Sequence, residues 1–416
     1  MSNPLSDFKR TKFACYFSYF SMAAIFAFPP LLFVTFRQMY DISYTLLGTL
    51  VLINFCTQMG VDLIFTFFSK HFNIHKTACA MPLFTSLGMF IYALVPTFLP
   101  QFAYVGLLVG TVIFSVSAGL SEVLLSPIVA AIPSETPDRD MSLLHSLYGY
   151  GFLIVVILST LFLRLIGTQY WMYLTLFWAT LPILSFVFFA IAPFPDMTVA
   201  QDTASGSSKH KRTVIFLCAV CIFLGGASEN SMTNWISSFM ESALHIPKVI
   251  GDILGMASFA VLLALTRSAY AKYGKNISKV LLCGMAGAAV CYLVAGLSPV
   301  PVLSMLACVC VGICASMLWP GTLILMDENI PNPGVAAYAL MAACGDFGSS
   351  VAPQLIGVVV DNVSASSWGI SLGTALSQTP EQIGMKAGIL LGSLFPILGV
   401  LLMLYFRRYL AKAKTQ

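Results

Sequence analysis

Residues 101–131 read QFAYVGLLVGTVIFSVSAGLSEVLLSPIVAA, and only Glu122 in this stretch carries a charge. A helix needs about 20 predominantly apolar residues to cross the hydrocarbon core of a bilayer, so this run spans a membrane by itself. Similar runs recur along the chain. Read between polar or Pro/Gly breaks, they predict twelve spans: 13–36, 44–68, 77–96, 101–131, 141–163, 170–192, 213–237, 248–270, 278–296, 300–326, 335–360 and 384–406. The composition agrees: of 416 residues, 58% are hydrophobic and 9% charged, where a soluble domain would carry roughly a quarter charged. The expected fold is an all-α integral membrane protein. A soluble enzyme, a nucleic-acid binder and a secreted disulfide scaffold are excluded.

The basic residues set the orientation, because cytoplasmic loops carry an excess of Lys and Arg. All but Arg37, Arg164, Lys248 and Lys386 fall on one side of the twelve predicted spans. Both termini are therefore expected in the cytoplasm, with the protein in the cell membrane and acting as a monomer. The net charge of +4 is spread over many short loops and gives no nucleic-acid signal. The 11 cysteines lie in apolar runs, where a thiol acts as a small hydrophobe. The lone Cys218-x-x-Cys221 has no further ligand pair to complete a metal site. A phosphate-cradling G-x-x-x-x-G-K-S/T loop is absent, which argues against ATP drive and leaves no expected cofactor. Coupling would come from a proton gradient, with sodium as the alternative.

The polar segment Pro193 to Arg212 reads as a flexible cytoplasmic linker, dividing the chain into halves at 1–192 and 213–416. The halves repeat a pattern: Gly119 lies eight residues before Pro127 in span four, and Gly312 eight before Pro320 in span ten. Two six-helix halves joined in this way describe a secondary transporter working by alternating access. A second long connection, Asp361 to Gly384, is expected to run outside.

Ionisable groups inside spans are costly, and each is a functional candidate. Glu122 in span four and His145 in span five flank a turn at equal distances, which suits a proton-coupling acid and its partner; a structural Glu–His hydrogen bond is the plainer alternative. In span seven, Glu229 and Thr233 share one helix face and Asn230 and Asn234 another. A carboxylate and amides match the hydroxyls of a sugar or polyol, and Trp319 supplies a ring for the apolar face of a pyranose. Trp235 lies near the end of its span and fits packing better. Glu122, Tyr148 and Asp346 complete the candidate substrate-binding set. Asp62 is read as gate or packing, and Arg267 as an inner gate with Asp346. Asp252 is read as a solvated first-turn residue of span eight.

These residues resemble the major facilitator superfamily, and within it the fucose permease-like sugar symporters. The resemblance rests on Gly119, Glu122, Pro127, His145, Tyr148 and Gly151 in the first half. In the second it rests on Gly226, Glu229, Asn234, Trp235, Gly312 to Pro320, Gly345, Gly348, Pro353 and Gly357. It implies the major facilitator fold and uptake of a sugar or similar small polar solute by proton symport. The superfamily's basic loop is degenerate here, as Ser69-Lys70-His71-Phe72-Asn73, and span one carries Phe28-Pro29-Pro30 and no acid. Coupling then rests on Glu122 with His145, or on Asp346. A drug or metabolite efflux antiporter, favoured by an aromatic and methionine-rich cavity, is the alternative.

Overall fold

The computed structural model describes residues 8–68, 71–135, 137–195, 209–330 and 335–413. Among these residues twelve helices are long and apolar enough to cross a membrane. Spans one to six are Lys9–Leu31, Tyr44–Phe65, Ile74–Phe98, Pro100–Ala131, Leu143–Leu165 and Thr168–Ala190. Spans seven to twelve are His210–Ala243, Lys248–Tyr270, Ile277–Leu297, Pro301–Asn329, Ala337–Ala365 and Pro380–Lys412. The chain is a multi-pass, all-helical membrane protein. Residues 69–70 of the degenerate basic loop and 196–208 of the expected linker lie outside the described residues.

The helices form two compact units, one of Met1–Asp41 with Ile53–Gln201 and the other of Ile42–Leu52 with Asp202–Gln416. Lipid tails are as apolar as leucine, so helices associate in a bilayer through close packing at small residues. The first unit does this at Gly88 and Gly110, where spans three and four cross. A Cβ at Gly88 would lie 2.7 Å from the Gly110 carbonyl oxygen, and one at Gly110 equally close to that of Gly88. Its core is filled by Leu120, Leu124, Leu125 and Ile128 of span four with Phe65, Met81 and Phe189.

In the second unit spans seven and eleven meet at Gly226 and Gly348, where a Cβ would meet the carbonyls of Gly345 and Phe223. The start of span two belongs to this unit. Asp361 caps it, its carboxylate accepting from the backbone N–H groups of Tyr44 at 3.2 Å and Thr45 at 2.6 Å.

Three local features depart from the sequence reading. The connection expected from Asp361 to Gly384 is largely helical: span eleven runs to Ala365, and Ser366 caps a helix at Ser367–Leu376. Span twelve then opens with a Thr379–Gln382 capping box around Pro380. Spans seven and eight meet through π-helical turns at Phe239–Ala243 and Gly251–Ala257. Asp252 sits in the second of these and is fully buried rather than solvated. Its charge is matched by Lys248, four residues earlier and 3.2 Å away, and by the Ser237 hydroxyl.

Candidate functional site

In the first unit the polar stripe of span two divides into two parts. Asn54 accepts a hydrogen bond from Gln58 at 3.1 Å, and its Oδ1 lies 2.6 Å from the Ser115 hydroxyl of span four. This upper part joins two helices. One turn beyond Gln58, buried Asp62 brings a carboxylate oxygen within 4.8 Å of one from Glu122. Glu122 itself is exposed. A carboxylate that far into an apolar helix is costly unless it faces water or a partner, and Asp62 puts a second acid beside it.

His145 is exposed on span five, and its Nδ1 shares a 3.0 Å hydrogen bond with the Tyr19 hydroxyl of span one. The two rings stand edge to face at 5.3 Å. Tyr148, one turn further, packs between Tyr19 and Phe26 at 6.1 and 5.8 Å. Tyr19 was not among the candidates. A tyrosine in an aromatic run of span one looks like packing, and nothing in its spacing announces a partner 126 residues away.

In the second unit the polar face of span seven is put to several uses. Thr233 donates to the carbonyl of Glu229 and Asn234 to that of Asn230, so both turn back on their own helix. Asn230 reaches span eleven, donating to the Ser349 hydroxyl at 2.8 Å. Trp235 is fully buried and donates to the carbonyl of Pro353, a packing role. Asp346 is also buried, on span eleven. Trp319 is half-buried, with its ring against Gly345, where a Cβ would come within 2.3 Å of the indole.

The remaining members form an ion pair inside the spans. Arg267 Nη2 lies 3.1 and 3.2 Å from the two carboxylate oxygens of Glu229, and Arg267 Nε donates to the Ser316 carbonyl at 2.8 Å. The last bond follows from the sequence of span ten. The ordinary donor to that carbonyl would be the N–H four residues on, and residue 320 is a proline, which has none. Span ten breaks there, between helices Pro301–Ala315 and Pro320–Asn329. The orphaned carbonyl is satisfied from span eight.

Twelve apolar helices among the described residues, with carboxylates held in mid-span, define a multi-pass membrane protein with polar groups placed inside its spans. The model of the Major Facilitator Superfamily matches residues 11–353, and the chain belongs to that superfamily. No curated protein sequence matches it. Among solved structures, a bacterial homologue of the human lysosomal transporter Spinster aligns with a TM-score of 0.75 at 11% identity, covering 99% of this chain and 98% of that one. A D-xylose–proton symporter aligns with a TM-score of 0.74 at 14% identity, covering 93% and 96%. A nucleoside transporter gives 0.67 at 15%, covering 98% and 99%. At such identities the likeness carries the fold, and it does not single out the fucose permease-like branch.

Proposed function

We propose that this protein takes up a small polyhydroxylated solute with protons, by alternating access across the cell membrane, with both termini in the cytoplasm. The halves 1–192 and 213–416 are the moving bodies. The observation that carries the coupling is the approach of Asp62 and Glu122 within 4.8 Å. Two carboxylates at such a distance in an apolar setting do not both ionise readily, so one holds a proton until its surroundings change. Exposed Glu122 is the member that exchanges it, and the Tyr19–His145 pair is a further proton-bearing group in the same unit.

In the second unit Glu229, Asn230 and Trp319 supply the acceptor, amide and ring that a sugar needs. Solved relatives of this fold named for D-xylose and for nucleosides support that class of solute. The charged and amide groups of spans seven and eight favour it over a lipophilic drug.

The test is external pH in weakly buffered, energy-depleted cells while sugars and nucleosides are added. Alkalinisation on adding one of them identifies the solute and its symport. Glu122→Gln is expected to abolish proton-driven accumulation, by tenfold or more, while passive exchange of labelled solute continues. Undiminished accumulation in that variant would remove Glu122 from coupling. Acidification instead of alkalinisation would replace symport with antiport.

A further inference from the structure

Arg267 is anchored on two edges and open on the third. Its Nε is held by the Ser316 carbonyl and its Nη2 by both oxygens of Glu229. Nη1, with two N–H donors, makes no hydrogen bond to any described residue. The Arg267 side chain is 40% exposed against 18% for Glu229. In a span, a charged group that accessible faces a water-filled space or a ligand. A guanidinium with fixed torsions also loses less freedom on forming its remaining hydrogen bonds than a lysine would.

The chemistry of the pair narrows what can dock there. Each Glu229 oxygen has acceptor capacity beyond its one bond to Arg267. Donors and acceptors therefore stand side by side on a pair with no net charge. An anionic group at Nη1 would meet the Glu229 carboxylate as a like charge, and a cation would meet the guanidinium. Two adjacent hydroxyls meet neither objection: one accepts from Nη1 while its neighbour donates to Glu229.

We propose that the Arg267–Glu229 pair recognises a vicinal diol of the transported solute, so that Arg267 is a specificity residue rather than a gate. The inference rests on the reading of the solute as polyhydroxylated. Its immediate cause is Pro320, which frees the Ser316 carbonyl to fix the guanidinium from behind. The diol belongs either to a pentose or to the ribose of a nucleoside, and the test separates the two.

Binding is measured on the purified full-length protein in lipid nanodiscs with two matched pairs of probes. One is uridine against 2′-deoxyuridine. The other is methyl β-D-xylopyranoside against its 3-deoxy analogue, in which no two hydroxyls are adjacent. In one arm the diol compound is expected to bind at least tenfold more tightly than its partner. Arg267→Lys and Glu229→Gln should each bring that ratio close to one, because the diol compound loses more affinity than its deoxy partner. A merely structural ion pair would instead weaken both compounds together. Glu229→Gln keeps the volume of the side chain and serves if the lysine variant does not fold. Equal affinity for a diol compound and its deoxy partner would overturn the inference and leave the solute reading standing. Absence of binding by all four compounds would overturn both.

Discussion

Spans four and ten share one punctuation, a glycine eight residues before a proline, and put it to different use. A Cβ at Gly119 would lie 2.9 Å from Val61 of span two, and one at Gly312 would lie 2.5 Å from the Phe259 carbonyl of span eight. Each glycine thus lets its helix cross the corresponding neighbour within its own unit. Beyond the crossing the two diverge. Span four runs unbroken through Pro127 and presents Glu122 toward Asp62 of span two. Span ten breaks before Pro320 and presents a bare carbonyl toward Arg267 of span eight. One repeat therefore sets acid beside acid, and the other sets a cation between an acid and a carbonyl. The first arrangement calls for a proton, because like charges in an apolar site are relieved by neutralising one of them. The second is neutral already and is free to bind hydroxyls. On the reading proposed here, coupling belongs to the first unit and recognition to the second.

The crossing itself gives the largest effect. Gly312→Ala would drive a methyl group into a backbone oxygen that cannot rotate away, and overpacking of this kind costs about 1–3 kcal/mol. Gly119→Ala meets the Val61 Cβ at 2.9 Å and the Gln58 carbonyl at 3.1 Å, a smaller overlap than the 2.5 Å at Gly312. The heating temperature at which detergent-solubilised protein loses its monodisperse peak should fall by several degrees for Gly312→Ala and by less for Gly119→Ala. The reverse order would show that the two crossings are not built alike.

Next in size is Pro320→Ala. It restores the N–H that Ser316 lacks, so span ten can close on itself and compete with Arg267 Nε for the carbonyl. A hydrogen bond is worth a net 0.5–1.5 kcal/mol, or about two- to tenfold. The preference for the diol compound should fall by that factor with the fold intact. An unchanged preference would mean that Arg267 needs no support from span ten, and the contrast between the two repeats would lose its functional side.

Much of this was legible in the sequence, and the losses have physical causes. Twelve spans could be read because a lipid solvent demands some 20 apolar residues per crossing. The repeated Gly and Pro were also visible, as was the isolation of Glu122 and Glu229 in apolar runs. The partners were not. Glu229 and Arg267 are 38 residues apart with a reversal of the chain between them, and their meeting depends on how two helices are rotated about their axes. Asp252 was misjudged because a first-turn carboxylate looks solvated, although Lys248 at i−4 was a readable counter-ion. The helix at Ser367–Leu376 was missed for want of a long apolar run. By contrast, the orphaned Ser316 carbonyl followed from a rule available at the outset, that a proline leaves the residue four before it without a donor.

A second carboxylate–cation pair, between Lys12 in the first turn of span one and Asp140 just before span five, carries the smallest expected effect. Asp140 pairs with Lys12 and accepts hydrogen bonds from Ser134 at 2.6 Å and Tyr16 at 3.4 Å. Burial alone would raise its carboxyl, but the bonds from Lys12, Ser134 and Tyr16 with the Lys12 charge outweigh it and hold the group below its ordinary 3.8. A depressed carboxyl stabilises the folded state above its unfolded value and loses that stabilisation as pH falls through the folded one. Pairs near water contribute only about 0.2–1 kcal/mol. Asp140→Asn should therefore lower thermal stability slightly at pH 7, with the gap to the unmodified protein narrowing below about pH 4 as the wild-type carboxyl takes up its proton. Melting curves of both proteins at pH 7 and pH 3.5 decide it. A gap that stays constant would mean that Asp140 acts through its hydrogen bonds alone and that its charge adds nothing to them.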